Sequence, residues 1–203
     1  MSREQNLFEK YPVLFRDRDE TLMRWGISCG DGWFNLIDTA LELISARSVD
    51  ARVYELKQKM GMLVFFVDHV KKDDEDYIFG ITTMTQFISL VICEKCGLIG
   101  EQYNSGYIFT SCMKHAPYQK TDLVVELSFK TEIGAMWQRL VYVFCNLINA
   151  NTHRFNLKII DAKKKNGKLA LATENNDSET DSMIEIVTAY ANKIDENTGQ
   201  LVE

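Results

Sequence analysis

The residues best placed to do chemistry are Cys93, Cys96, Cys112 and His115, spaced Cys-x2-Cys-x15-Cys-x2-His. Two close pairs of such ligands are what a tetrahedral zinc needs. Each pair fits one tight turn, and the span between is long enough to double back. Within that span Tyr103 and Tyr107-Ile108-Phe109 flank Asn104-Ser105-Gly106, which predicts a hairpin and hence a zinc-ribbon-like element. Gly97, directly after the second cysteine, permits the left-handed backbone of a metal knuckle. All four positions are protein, so the site is closed, and the expectation is one structural Zn2+. Its binding, worth roughly 10 kcal/mol or more, would replace the core that so short a loop lacks. The alternative for His115 is a core histidine that ligates nothing. A ribbon can also contact nucleic acid or protein; its basic residues here are Lys95, Lys114 and Lys120, offset by Glu94 and Glu101.

The second segment with unusual composition is Trp25 to Phe34, WGISCGDGWF. Read structurally, it is a strand-to-helix corner in which Gly30 and Gly32 supply special backbone angles, Asp31 caps a helix and Trp33 opens its core face. Read functionally, Gly30, Asp31, Gly32 and Trp33 form a pocket whose helix-start amides hold an anion, with Trp25 as a stacking wall. No Lys-Ser/Thr follows, so the loop lacks the charge partner of a phosphate loop. Cys29 is a candidate nucleophile beside the glycines, weighed against a buried thiol. His69 and His153 have no Ser or Cys partner at recognisable spacing. Asp73-Asp74-Glu75-Asp76 and Lys163-Lys164-Lys165 read as solvated charge runs.

These segments must be positioned by the rest of the chain. Leu7 to Phe15 reads as a short helix or arm ended near Pro12, and Leu22 to Cys29 as a strand. Trp33, Leu36, Ile37, Ala40, Leu41 and Ile44 have the spacing of one helical face. Two strands, Val53 to Lys57 and Met62 to Val67, join across Gly61; a second helix carries Ile78, Ile81, Met84, Ile88 and Val91 to Cys93. The order then repeats. A strand-like run, Leu127 to Ile133, precedes Trp137, Leu140, Val141, Phe144, Cys145 and Ile148, each 104 positions after its counterpart. Phe155 to Ile160 and Lys168 to Ala172 follow, joined by the hairpin signal Asn166-Gly167. Ser182 and Glu185 read as a capping box for a helix through Met183, Val187, Tyr190 and Ile194. That helix ends in IDENTG, where Asp195 and Thr198 stand in the places of Cys93 and Cys96. The expected fold is α+β: two similar strand–helix–hairpin–helix units, an internal duplication, over residues 1–92 and 121–203. The zinc-ribbon-like element, 93–120, is inserted between them, and the strands form sheets of about three.

Net charge is −6, with 14 basic against 17 acidic residues up to residue 120 and 9 against 12 beyond it. Neither half is a basic lobe, which argues against a general phosphate-binding surface. The opening MSREQNLFEK is too polar for a secretory leader, and no apolar run reaches about 18 residues. Five cysteines, three of them in the proposed site, fit a reducing compartment.

YPVLF, WGISCGDGWF, KQKMGMLVFF, ICEKCG and SCMKHA, in that order, resemble a family of tailed-phage and prophage proteins over about residues 8–117. The resemblance implies a phage origin, hence the host bacterial cytoplasm, and the ligand set Cys93, Cys96, Cys112 and His115. It brings no activity with it. The expected function is a non-catalytic phage accessory protein that binds and modulates a host protein, for instance a defence factor, with no role for a membrane. The alternatives are a nucleic-acid-binding zinc protein, or a nucleotide-binding protein or enzyme built on the Gly30–Trp33 corner.

Overall fold

The computed structural model describes residues 2–118 and 126–202. Helix α1 (Arg3–Lys10) starts where Ser2 Oγ accepts the Gln5 N–H and ends at Tyr11, whose hydroxyl donates to the Asp38 carboxylate. Of the helix or arm expected over Leu7 to Phe15, a short helix is what forms, begun four residues earlier and ended before Tyr11. The expected strand Leu22 to Cys29 is instead a 3-10 turn, Leu22–Trp25, which Thr21 caps by accepting the Met23 N–H. Extended pairing in this stretch is limited to one parallel bridge, Ser28 to Lys57. A further 3-10 turn, Asp31–Trp33, opens α2 (Phe34–Arg47), and the Asp31 side chain makes no capping bond.

Strands β1 (Arg52–Lys59) and β2 (Met62–Asp68) form an antiparallel hairpin, followed by α3 (Glu75–Ile88). The ribbon hairpin is β3 (Glu101–Asn104) with β4 (Ile108–Ser111). Next come α4 (Ala135–Ala150), the hairpin β5 (Lys158–Lys165) with β6 (Lys168–Glu174), and α5 (Ser178–Ala191). No strand lies within 127–133, so the sheets of about three strands are, among the described residues, three separate two-stranded sheets. The run Phe155 to Ile160 joins its hairpin only from Lys158 onward.

A two-stranded sheet is marginal alone, so each hairpin leans on helices. Leu56, Leu63 and Phe65 turn one face of the first hairpin into the core beside α3, while Ala162 and Leu169 turn the second inward beside α5. All contribute to one hydrophobic cluster running from Leu7 to Ile194, in which Trp33, Leu36, Ile37, Met84, Leu140, Phe144 and Ile186 are fully enclosed. Helices α3 and α5 pack directly on each other. At Gly80 a Cβ would collide with the Ser182 hydroxyl and the Glu179 carbonyl, so the close helix approach requires glycine there.

Several local devices occur twice. Each outer hairpin turns through two residues of positive φ, Met60 (53°) with Gly61 (75°) and Asn166 (53°) with Gly167 (78°). Each has a bulge at the same register, between Val53 and Glu55 and between Ile159 and Asp161. In each, an outward amide of the second strand is satisfied by a side chain from the end of the following helix: Leu63 N–H donates to Ser89 Oγ, and Leu169 N–H to Asn192 Oδ1. The α5 cap is Asp177 with Thr180, not Ser182 with Glu185. The Ser182 hydroxyl is turned inward, donating to the Glu179 carbonyl.

Gly80→Ala is expected to destabilise the protein by about 2 kcal/mol through overpacking of the helix pair, and Asp177→Ala by about 1 kcal/mol through loss of the cap. Urea unfolding measures both; a neutral Gly80→Ala would contradict the close approach.

Candidate metal centre

The four sequence ligands converge although two come from a turn after α3 and two from the strand end after β4. Sγ of Cys96 and Cys112 are 3.7 Å apart, and His115 Nδ1 lies 3.5 Å from Cys93 Sγ and 3.3 Å from Cys112 Sγ. All four donor atoms fall within 4.8 Å of one another. A tetrahedral ion with metal–sulfur bonds of about 2.3 Å and a metal–nitrogen bond of about 2.0 Å separates its ligands by about 3.8 Å and 3.5 Å. The cluster could therefore hold one metal ion, through the Nδ1 face of His115.

The backbone builds the knuckle. Gly97 N–H donates to the Cys93 carbonyl at 2.9 Å with Gly97 at φ 81°, and Cys93 N–H donates back to Leu98 O at 2.7 Å. Glu94 N–H donates to Thr110 O, tying the first ligand turn to β4, and His115 N–H closes the second turn on Cys112 O. Burial alone would raise the Cys93 thiol, but the backbone N–H of Cys112, the His115 ring and the amides of Cys96 and Lys95 draw it down to about 6. Cys96 is pushed up to about 12 by burial and by the neighbouring Cys93 and Cys112 sulfurs. Thiolates this close repel one another, and a central cation reverses that penalty.

The WGISCGDGWF corner is where this knuckle sits. Gly32 N–H donates to the Glu94 carbonyl at 2.8 Å, Gly30 N–H to the Glu94 carboxylate at 3.0 Å, and Trp33 Nε1 to Ile92 O at 2.9 Å. A Cβ at Gly32 would collide with the Cys93 carbonyl and the amide nitrogens of Gly97 and Cys96, and one at Gly30 with the Glu94 carbonyl. The two glycines thus allow backbone-to-backbone contact with the ligand turn. A cavity of about 450 Å³ borders the corner at Asp31, Gly32, Arg3, Asn35, Lys95 and Tyr190. Trp25 is not part of it; it stands 79% exposed with the Arg24 guanidinium over its ring. Burial, then the Glu94, Asp31 and Glu4 carboxylates, push the Cys29 thiol up to about 12, where it is a poor nucleophile. His69 and His153 are exposed.

Two residues that sequence reasoning passed over hold the corner in place. Glu94 accepts from both glycine amides, and Glu4 accepts the Ile27 N–H, tying α1 to the segment. Both look like ordinary surface carboxylates in the sequence, and their partners lie more than twenty residues away.

The IDENTG turn copies the knuckle without thiols. Gly199 N–H donates to Asp195 O and Asp195 N–H to Gln200 O, as in the first turn. Where the first turn has two sulfurs, Asp195 Oδ1 accepts the Thr198 N–H and hydroxyl, each at 2.8 Å, and the Asn197 N–H at 3.1 Å. This turn is seated like the first: Met136 N–H donates to the Glu196 carbonyl, and Gly134 leaves no room for a Cβ against it. The two turns touch where Ile99 N–H donates to Thr198 O.

Set beside known proteins, the chain matches no protein-family model, no curated protein and no solved structure. Among the described residues, no helix is long and apolar enough to cross a membrane.

Gly32→Ala is expected to cost at least about 2 kcal/mol and to weaken metal retention, since the knuckle backbone must move; chelator titration and thermal melting read both. Backbone N–H groups and the hydroxyl of Thr198, then Asn197 N–H, hold the Asp195 carboxyl below its usual range. Its contribution is therefore fully present above about pH 4, the ordinary carboxylate value, and is lost as pH falls through the lowered one. Asp195→Ala should remove that acid-side loss and lower the melting temperature, while leaving metal content unchanged.

Proposed function

We propose that the cluster holds a single structural Zn2+ and that the protein is a non-catalytic phage accessory factor that binds and modulates a host protein. The observation that carries this is the closed ligand set: three sulfurs and one ring nitrogen leave a tetrahedral ion no position for water or substrate. Thiolate with imidazole favours zinc over the hard cations. The IDENTG turn supports a duplicated origin, in which the second copy, residues 121–203, carries Asp195 and Thr198 in place of Cys93 and Cys96. The high Cys29 pKa and the use of both glycine amides by Glu94 favour a binding role over catalysis at the corner. Phage origin and a host target rest on the resemblance of residues 8–117.

Affinity purification from infected cells should recover one bacterial protein in stoichiometric amount. The recovery should be lost on Cys112→Ala, which empties the site and unseats the knuckle. Repeated failure to enrich any partner above background would count against the reading.

Contact with nucleic acid is a second reading, favoured by Tyr107, which is exposed on the ribbon with its ring near-parallel to the half-buried Phe109 at 6.5 Å between centroids. Exposed rings of this kind can stack on bases. The net charge of −6 works against it. It requires retention on single-stranded DNA or RNA that weakens with salt.

A further inference from the structure

The distal end of the β2 edge and the facing side of α3 form the two walls of one groove. Its volume is about 600 Å³. Residues 65–70 make one wall; Glu75, Asp76, Phe79, Thr82, Thr83 and Gln86 make the other, and Arg154 closes one end. Strand beside helix, with a slot between, is the arrangement in which an extended peptide adds to a sheet edge.

The backbone of the edge is open at Val67, inside the groove. Outward amides of β2 alternate. Leu63 N–H is taken by Ser89 Oγ at 2.9 Å, and Phe65 N–H reaches Gln86 Oε1 only at 3.5 Å. By the same alternation Val67 faces outward, and among the described residues neither its N–H nor its carbonyl bonds outside the hairpin. The opposite edge of the hairpin is occupied, since Ser28 donates to Leu56 O and accepts from Gln58 N–H. Natural sheets protect such edges with charges, bulges or covering segments. This one carries Met-Leu-Val-Phe-Phe-Val, with Phe66 56% exposed.

The chemistry of the rim selects the occupant. Glu75 and Asp76 are exposed and form no ion pair among the described residues. The one arginine of the rim, Arg154, is already paired with Glu179 at 2.8 Å, and Asp68 with Arg52 at 2.8 Å. Phe79 lies beneath the Arg154 guanidinium and is 46% exposed. Uncompensated charge in the groove is therefore negative, beside exposed phenyl rings. A second copy of this chain pairing through the same edge would face that acidic rim with its own.

We infer that the β2–α3 groove binds an extended segment of the partner protein, about four to six residues long, with lysine or arginine alternating with apolar side chains. This rests on the protein-binding reading and gives it a location. The segment hydrogen-bonds to the backbone of Val67, displaces the long Gln86 contact at Phe65 N–H, sets its apolar residues on Phe66 and Phe79, and places its cations at Glu75 and Asp76.

The test uses the intact, metal-loaded chain and a displayed library of random twelve-residue peptides. Selected peptides should be basic and alternating, and should slow hydrogen exchange at residues 65–70. Val67→Pro removes one outward donor and crowds the edge, a change edge strands tolerate; it should weaken binding at least tenfold. Glu75→Lys combined with Asp76→Lys alters only exposed positions and should also weaken binding at least tenfold, with metal content unchanged; because both carboxylates suit the first turn of α3, the melting temperature should fall by a few degrees. Selection that yields no basic binder, or peptides that protect another surface, would overturn the inference. So would unchanged affinity in both variants, or self-association that Val67→Pro abolishes. A cellular partner whose binding survives both variants would remove the groove while leaving the protein-binding reading intact.

Discussion

The structure depends on a backbone contact: the carbonyl of Glu94, between the first two metal ligands, lies against the amide of Gly32. No side chain can stand between them, and the contact forms only if the Cys93–Gly97 turn has its knuckle shape. The turn in turn fixes the end of α3, the start of α2 and the edge of β4. A small set of sulfur–nitrogen distances thereby helps set the relation of three elements, together with the Trp33–Ile92, Gly30–Glu94 and Glu94–Thr110 hydrogen bonds. This is how a metal can contribute folding energy without taking part in chemistry.

The second half meets the same geometric need by different chemistry. Gly134 stands against Glu196 as Gly30 stands against Glu94, and the turn closes with matching backbone hydrogen bonds. One aspartate oxygen accepting three hydrogen bonds takes over the holding role. Such a turn is strong but local. It ties residues three positions apart, whereas a metal held by the cluster would also tie the turn to Cys112 and His115 across the ribbon.

The Cys/His cluster and the hairpins were legible because their signals are local. Cys-x2-Cys and Cys-x2-His need only a turn each, and Asn166-Gly167 needs only two residues of positive φ. Met60, at φ 53°, gave no such signal, and Gly61 alone marked its turn. The helices were legible from their spacing, although the α5 cap lay five residues ahead of Ser182. The strand expected over Leu22 to Cys29 failed because a short apolar run fits a 3-10 turn as well as a strand. There Met23 is buried and Trp25 points outward. The purpose of the glycines in WGISCGDGWF was not legible either. What excludes a side chain at Gly30 and Gly32 is backbone some sixty residues further along the chain, and composition cannot name a partner at that distance.

X-ray absorption at the metal edge of the purified protein tests the central claim most directly. A closed knuckle predicts three sulfurs at about 2.3 Å and one imidazole nitrogen at about 2.0–2.1 Å, with no further light-atom ligand. A shell with fewer sulfurs, or one containing a water oxygen, would contradict it.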